Sequence, residues 1–504
     1  METVGHIGLF ALTAVYLLCA LLLFLYGANC YVLLFLFMKS RGRRASGSEA
    51  FAAAFRRTHD DASLPGVTTQ LPLYNERYVV ERLIDAVAAI DYPREKHLIQ
   101  VLDDSNDETS AIAARRIAQL RDQGVRIEHI RRPTREGYKA GALRYGLERT
   151  TDEFVAIFDA DFIPPASFLR MTVPYLVTDA RCGTVQTRWT HINATDSWLS
   201  IAEAIAMDTH FAIEQSARGW NGLYMNFNGT AGVWRRQAII DAGNWQADTL
   251  TEDIDLSYRA QLANWHMRFV FDLETPGELP IDVNAFKTQQ HRWAKGSIQT
   301  AIKILPRVFA SDDSLFRKLQ AFFHLTYYCV YPLILVMVCC TLPVLFFSQQ
   351  MLPVWAWVLL LACFATSFVG STAILFCAQY TLHRNWLQRI LYLPWVMCVG
   401  VGLTVNNAKA VVEALAGHKT GFVRTPKRGG IVRGALSSYA IPATPVTAVE
   451  LLLGLYSLLC VVISLAHHQY MVTYFVLCNA AGFLYIGLLS LLESPRARPA
   501  AQGR

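Results

Sequence analysis

The chain has 504 residues, 53% of them hydrophobic and only 17% charged, whereas soluble domains carry about 25% charge. This is the composition of a membrane protein with a large soluble insert, and the net charge of +6 is small for the length. Lys and Arg cluster beside apolar segments (Lys39, Arg41, Arg43 and Arg44; then Lys419, Arg424, Lys427, Arg428 and Arg433), which marks a positive-inside topology and argues against nucleic acid as a partner. Of the 11 cysteines only Cys182 lies in the soluble stretch, and no CxxC pair occurs. Neither a zinc site nor a disulfide framework is implied.

The first apolar segment, 8–38, is long enough to span a bilayer. It has no basic stretch before it and no small-residue cleavage site, so it reads as a retained anchor. Lys39 to Arg44 follow at once and place the next region in the cytoplasm. Residues 45–320 then form one soluble unit. Strands expected over 67–71, 98–102, 125–130 and 154–158 alternate with helices over 76–90, 107–121 and 138–148. That alternation predicts a mostly parallel α/β sheet covered by helices on both faces. Such sheets bind ligands beyond the carboxyl ends of their strands. Asp103 and Asp104 end one strand, and Asp159 and Asp161 end another.

Asp159-Ala160-Asp161 places two hard carboxylates together just past a strand, a spacing that suits Mg²⁺ or Mn²⁺ bridging a diphosphate. Taken alone, the pair is also an ordinary polar strand end. Asp103 and Asp104 are candidates for hydrogen bonds to a base or ribose, or for capping the next helix. In the turn 135–143, Lys139 is placed to reach phosphate. Thr251-Glu252-Asp253 opens an amphipathic helix; an acid there satisfies the helix dipole, and Asp253 is equally a candidate general base. Gln289-Gln290-His291-Arg292-Trp293 offers a guanidinium and an amide for pyrophosphate and an aromatic face for a sugar, or else a basic aromatic strip at a membrane surface. The turn 226–232 is rich in small residues that allow close backbone approach to a substrate.

Four further segments, 321–348, 352–379, 446–466 and 469–492, are apolar enough to span. Segment 386–408 is interrupted by Pro394 and flanked by basic residues on both sides, so it is expected to lie at the inner surface as an interfacial helix. The resulting order is an anchor (1–44), a cytoplasmic domain (45–320), two spans (321–380), an interfacial helix with a cytoplasmic loop (381–445), two spans (446–492) and a cytoplasmic tail (493–504).

Taken together, Asp104, Asp159/Asp161, Thr251–Asp253 and Gln289/Arg292/Trp293 resemble the D, DxD, TED and QxxRW elements of the processive, membrane-embedded family-2 glycosyltransferases, the cellulose, chitin and hyaluronan synthases and their cellulose synthase-like relatives. Val185–Trp189, Phe227–Trp234 and Glu278–Pro280 are similar to the cellulose synthase-like A group, the mannan and glucomannan synthases. Tyr74-Asn75-Glu76 matches the family's nucleotide-contacting YNE, and Phe422, Thr425 and Lys427 match its gating loop, although cellulose synthases have no arginine at the place of Arg424. No segment after 430 is long or polar enough for a cyclic-di-GMP-binding barrel.

The resemblance implies a GT-A-type nucleotide-sugar domain inserted between transmembrane helices, in a plasma, inner or Golgi membrane. It implies an inverting hexosyltransferase that uses UDP-glucose or GDP-mannose and a divalent metal on Asp159 and Asp161. Tyr74, Glu76, Asp103, Asp104, Lys139, Asp159, Glu252, Gln289, Arg292 and Trp293 would bind substrate, and Asp253 would be the base. The expected product is a β-glucan or β-mannan, exported through the spans, with an export partner possible. The alternative is single transfer to a glycolipid acceptor, against which the Gln289–Trp293 clamp and the 422–427 loop both speak.

Overall fold

The computed structural model describes residues 2–42, 47–280, 282–351, 354–418, 421 and 441–494. The loop bearing Phe422, Thr425 and Lys427 lies outside them.

The soluble region is built on a seven-stranded sheet with strand order β3-β2-β1-β4-β6-β5-β7. The strands are β1 (Val67–Leu73), β2 (His97–Asp103), β3 (Ile127–Ile130), β4 (Phe154–Ile157), β5 (Cys182–His191), β6 (Gly232–Arg235) and β7 (His266–Gly277). β1, β2, β3 and β4 run parallel, as the alternating pattern predicts. β6 runs antiparallel to both β4 and β5, while β5 and β7 are parallel to each other. The sheet is therefore mixed.

This reversal has a functional consequence. Ile157 at the end of β4 pairs with Gly232 at the start of β6, and Gln186 of β5 pairs with the same glycine. The carboxyl ends of β1, β2 and β4, the turn leading into β6 and the continuation of β5 toward Trp189 thus share one edge. β1, flanked by β2 and β4, is buried along nearly its whole length, as a strand covered on both faces must be. One core packs Val67, Val101, Phe158 and Phe168 on one face. A second packs Leu143, Phe227, Trp234 and Leu256 on the other.

Among the described residues, five helices are long and apolar enough to cross a membrane: Ala11–Ser40, Leu315–Phe346, Val358–Leu382, Pro445–Ala466 and Val472–Leu492. The 386–408 segment, expected as one interfacial helix, is divided into Trp386–Ile390, Leu393–Gly402 and Thr404–Leu415. Trp386–Gly402 and Thr404–Leu415 meet at a 44° bend and meet the same criterion only if counted as one span.

The long helix Val283–Ala310 docks the sheet domain onto the last two spans. The Val283 N–H donates to Glu493 Oε2 at 2.7 Å, and Asn284 Nδ2 to the Ser490 carbonyl at 3.0 Å. Lys287 Nζ lies 2.7 Å from Glu450 Oε2, with both side chains buried. A buried pair is sensitive to loss of one partner, because the survivor becomes an uncompensated charge. Glu450→Ala is therefore expected to destabilise the detergent-solubilised protein by about 3–5 kcal/mol, and Lys287→Met combined with Glu450→Leu to recover most of that loss. Thermal unfolding followed by size-exclusion checks both.

Candidate active site

A cleft at the shared sheet edge brings the acidic and cationic motifs together. It is lined by Tyr74 and Glu76 after β1, Asp104 after β2, Asp159 and Asp161 after β4, and Asn228 and Gly229 before β6. Glu252 and Asp253 enter from the start of helix Glu252–Leu262, and Gln289, Arg292 and Trp293 from helix Val283–Ala310. Positions 289, 292, 293 and 296 share a helix face by their spacing.

Lys139, in the first turn of helix Tyr138–Leu147, is the electrostatic centre. Its ammonium lies 2.5 Å from Asp159 Oδ1, 2.9 Å from the Gly229 carbonyl and 4.0 Å from Glu252 Oε1. Burial would lower its pKa, but Asp159 and Glu252 outweigh that and hold it above the usual lysine value. The sequence put this lysine within reach of phosphate; its ammonium contacts the first Asp of Asp159-Ala160-Asp161.

The Asp253 carboxyl lies against Gly229, where an added Cβ would be 2.9 Å from Asp253 Oδ2 and 3.4 Å from Lys139 Nζ. Gly229 also has φ +81°, so both backbone and space demand glycine there. Desolvation by burial, then repulsion from Glu252, push Asp253 up to about 7, while Lys139 opposes the rise. The acid is thereby poised near neutrality, as a general base requires.

Helix Val283–Ala310 fixes the register of this acid against the cationic clamp. Gln299 Oε1 accepts from the Leu250 N–H at 3.0 Å, and Thr251 and Thr300 hydroxyls meet at 3.1 Å. Lys303 Nζ lies 2.9 Å from Asp255 Oδ1, itself buried and paired with Arg259. Gly296 permits the approach, since a Cβ there would meet Thr251 Cγ2 at 2.5 Å and the Thr251 backbone N at 2.9 Å.

Asp103 and Asp104 have different surroundings. Asp103 is buried and does not line the cleft. Its carboxylate accepts from the Ser105 N–H, from Ser110 Oγ at 2.5 Å and from His129 Nε2 at 2.9 Å. Burial opposes its charge, but His129 and Ser110 prevail and draw it down to about 2. Asp104 lines the cleft with its carboxylate gripped by both Arg132 Nε at 2.9 Å and Arg132 Nη2 at 2.5 Å.

Two features escaped the sequence reading. Arg135 stacks over the Tyr74 ring with its guanidinium 3.3 Å from the centroid, and lines the cleft. Trp189 and Phe162, 4.9 Å apart edge to face, supply aromatic wall. Gln289, already singled out, is buried with an Oε1 that has no partner among the described residues, an acceptor left for a ligand.

Asp159 and Asp161 fit a hard divalent cation. Among the described residues no three or more His, Cys, Asp or Glu converge as a metal cage. Mg²⁺ and Mn²⁺ sites of this kind take one or two carboxylates and complete their shell with substrate phosphate and water.

Infrared or NMR titration of the free protein should show a carboxyl group titrating near pH 7 that is absent in Asp253→Asn. Lys139→Met should move that transition to higher pH, because the lysine is what opposes the rise. An unchanged midpoint would show that the two groups are not coupled.

Residues 65–296 match the family described as glycosyltransferase like family 2. The chain is 33% identical over 444 residues to glucomannan 4-beta-mannosyltransferase 7 of Arabidopsis thaliana, covering 84% of this chain and 77% of that one. It is 42% identical over 236 residues to glucomannan 4-beta-mannosyltransferase 1 of Cyamopsis tetragonoloba, covering 46% and 45% respectively. Among solved structures, a mannosyltransferase from Pyrobaculum calidifontis in complex with GDP-Man and Mn²⁺ aligns with 17% identity and a TM-score of 0.45, over 77% of this chain and 100% of that one. The chain belongs to the family-2 glycosyltransferases, in the cellulose synthase-like group.

Proposed function

We propose that this protein is an inverting, divalent-metal-dependent β-mannosyltransferase that extends a β-1,4-linked mannan or glucomannan from GDP-mannose. The observation that carries the reading is the convergence of Asp159, Asp161, Asp253, Gln289, Arg292 and Trp293 on one cleft, in a chain 33% identical to a glucomannan 4-beta-mannosyltransferase over 84% of its length. The basic residues at 39–44 support a cytoplasmic cleft, on the side of nucleotide-sugar supply, and the docked spans support a path for the product.

Asp159 and Asp161 would hold the divalent cation, which would supply charge neutralisation for the departing diphosphate. Tyr74, Glu76 and Asp104 surround the nucleotide; Asp103, closed into its own hydrogen bonds, orients the loop after β2. Lys139 with Arg292 and Gln289 receives the diphosphate, and Glu252 keeps Lys139 protonated. Trp293 stacks beneath the acceptor sugar. Asp253 takes the proton from the acceptor hydroxyl as its oxygen bonds to C1 of the donor, and the C1–O bond to phosphate breaks on the opposite face. The α-linked donor becomes a β-linkage, and nucleoside diphosphate leaves with the electron pair.

Membranes carrying the protein, incubated with GDP-[¹⁴C]mannose or UDP-[¹⁴C]glucose, should incorporate mannose into polymer that endo-β-1,4-mannanase degrades. Only short, lipid-extractable products would favour the single-transfer alternative. Because Asp253 must be deprotonated to act, kcat/KM should fall as pH drops through about 7. Gly296→Val should displace Thr251 and cost on the order of 100-fold in kcat, the scale of a 1 Å misplacement, while leaving nucleoside diphosphate binding intact. Wild-type kcat in that variant would show that the helix does not set the position of the base.

A further inference from the structure

The helix that begins at Trp198 changes its winding before the cleft. Trp198–Thr209 is α-helical, His210–Gln215 is a π-helical turn, and Ser216–Trp220 returns to α. π-turns are rare and often mark functional positions. This one directs His210 toward Asn228, whose side chain lines the cleft beside Gly229 and Asp253.

The hydrogen bonds around Asn228 determine which way its amide faces. Gln215 Nε2 lies 3.2 Å from the Asn226 backbone carbonyl, so it donates, and it also donates to Asn226 Oδ1 at 3.0 Å. That orients Asn226 so that its Nδ2 donates to Asn228 Oδ1 at 3.0 Å. His210 Nε2 lies 2.9 Å from the same Asn228 oxygen and 3.2 Å from Gln215 Nε2, and His210 Nδ1 lies 3.0 Å from Glu214 Oε2; with both Gln215 amide hydrogens on Asn226 and an oxygen facing it from Asn228, the Nε2–H form of the ring is the one that donates to Asn228. Glu214 is paired in turn with the buried Arg218 at 2.9 Å. Burial opposes the charge on Glu214, and Arg218 and His210 outweigh it, holding the carboxyl well below its usual value. The Asn228 backbone N–H is fixed separately, on Gln186 Oε1 at 2.8 Å. The carbonyl side of the amide is therefore used twice, while its Nδ2 makes one long contact of 3.5 Å to the Asn226 carbonyl. An amide has two donor hydrogens, and the second remains for the cleft.

We propose that His210 is a positioning residue for the acceptor subsite: it locks the Asn228 carboxamide with its oxygen inward, so that the amide NH₂ donates to a hydroxyl of the acceptor sugar next to Asp253. The inference rests on the glycosyl-transfer reading above and assigns to the π-turn a share in acceptor recognition.

The test uses the full-length protein in membranes, with GDP-[¹⁴C]mannose and β-1,4-mannohexaose as added acceptor. Asn228→Ala should raise the acceptor KM by about tenfold, the loss of one hydrogen bond to a polar ligand. The donor KM and the Kd for GDP with Mn²⁺ should stay within about twofold, which also reports that the cleft is folded. His210→Phe should give the same split, and His210→Gln, whose amide can still donate to Asn228, should restore most of the acceptor KM. The double variant His210→Phe/Asn228→Ala should be no worse than Asn228→Ala alone, as for residues acting in series. The proposal is overturned by an unchanged acceptor KM in His210→Phe, by additive losses in the double variant, or by donor and acceptor KM rising together. Absence of any mannosyl transfer by the wild-type protein would instead defeat the reading on which the proposal rests.

Discussion

The site depends on keeping several carboxylates together at one sheet edge. Asp104, Asp159, Asp161, Glu252 and Asp253 share a single cleft, where two like charges 4 Å apart repel by about 4 kcal/mol at a near-surface effective dielectric. Lys139 offsets much of this by touching Asp159, the Gly229 carbonyl and, at 4.0 Å, Glu252. Arg132 does the same for Asp104. What remains is shared out through Asp253, whose burial and proximity to Glu252 leave it poised between its two protonation states. The same electrostatic tension supports both proposed roles, attraction of a divalent cation to Asp159 and Asp161 and basicity at Asp253.

The fold brings these charges together through the reversed strand β6. An entirely parallel sheet would carry the turn before β6 to the opposite edge. Its antiparallel pairing with β4 and β5 returns Asn228 and Gly229 to the carboxyl ends of β1, β2 and β4. Helix Val283–Ala310 then joins chemistry to membrane within a single element. One part of it carries Gln289, Arg292 and Trp293, another fixes Thr251 and Asp255, and its first turns are bonded to Glu493, Ser490 and Glu450 of the last two spans.

Much of this was legible in the sequence because its signals are local. Short apolar runs ending in Asp103 or before Asp159 located the strands, and the residue types of Gln289–Trp293 singled out the clamp, though not the helix that carries it. What was not legible depends on tertiary packing. Adjacent aspartates look alike in the chain, yet Asp103 is closed into Ser105, Ser110 and His129 while Asp104 faces the cleft with Arg132. Nothing local announces that β6 runs backwards, that Arg135 stacks on Tyr74 or that His210–Gln215 is wound as a π-turn. The buried Lys287–Glu450 pair joins residues 163 positions apart, beyond the reach of any periodicity.

The central claim is a single displacement at the anomeric carbon, with Asp253 as base and the nucleotide leaving from the opposite face. The most direct measurement is the anomeric configuration of product made from GDP-α-D-[1-¹³C]mannose, read from the one-bond C1–H1 coupling by NMR. The account predicts a β-configured centre at every newly formed linkage. An α-configured linkage would contradict it, since retention requires a mechanism this cleft is not proposed to perform.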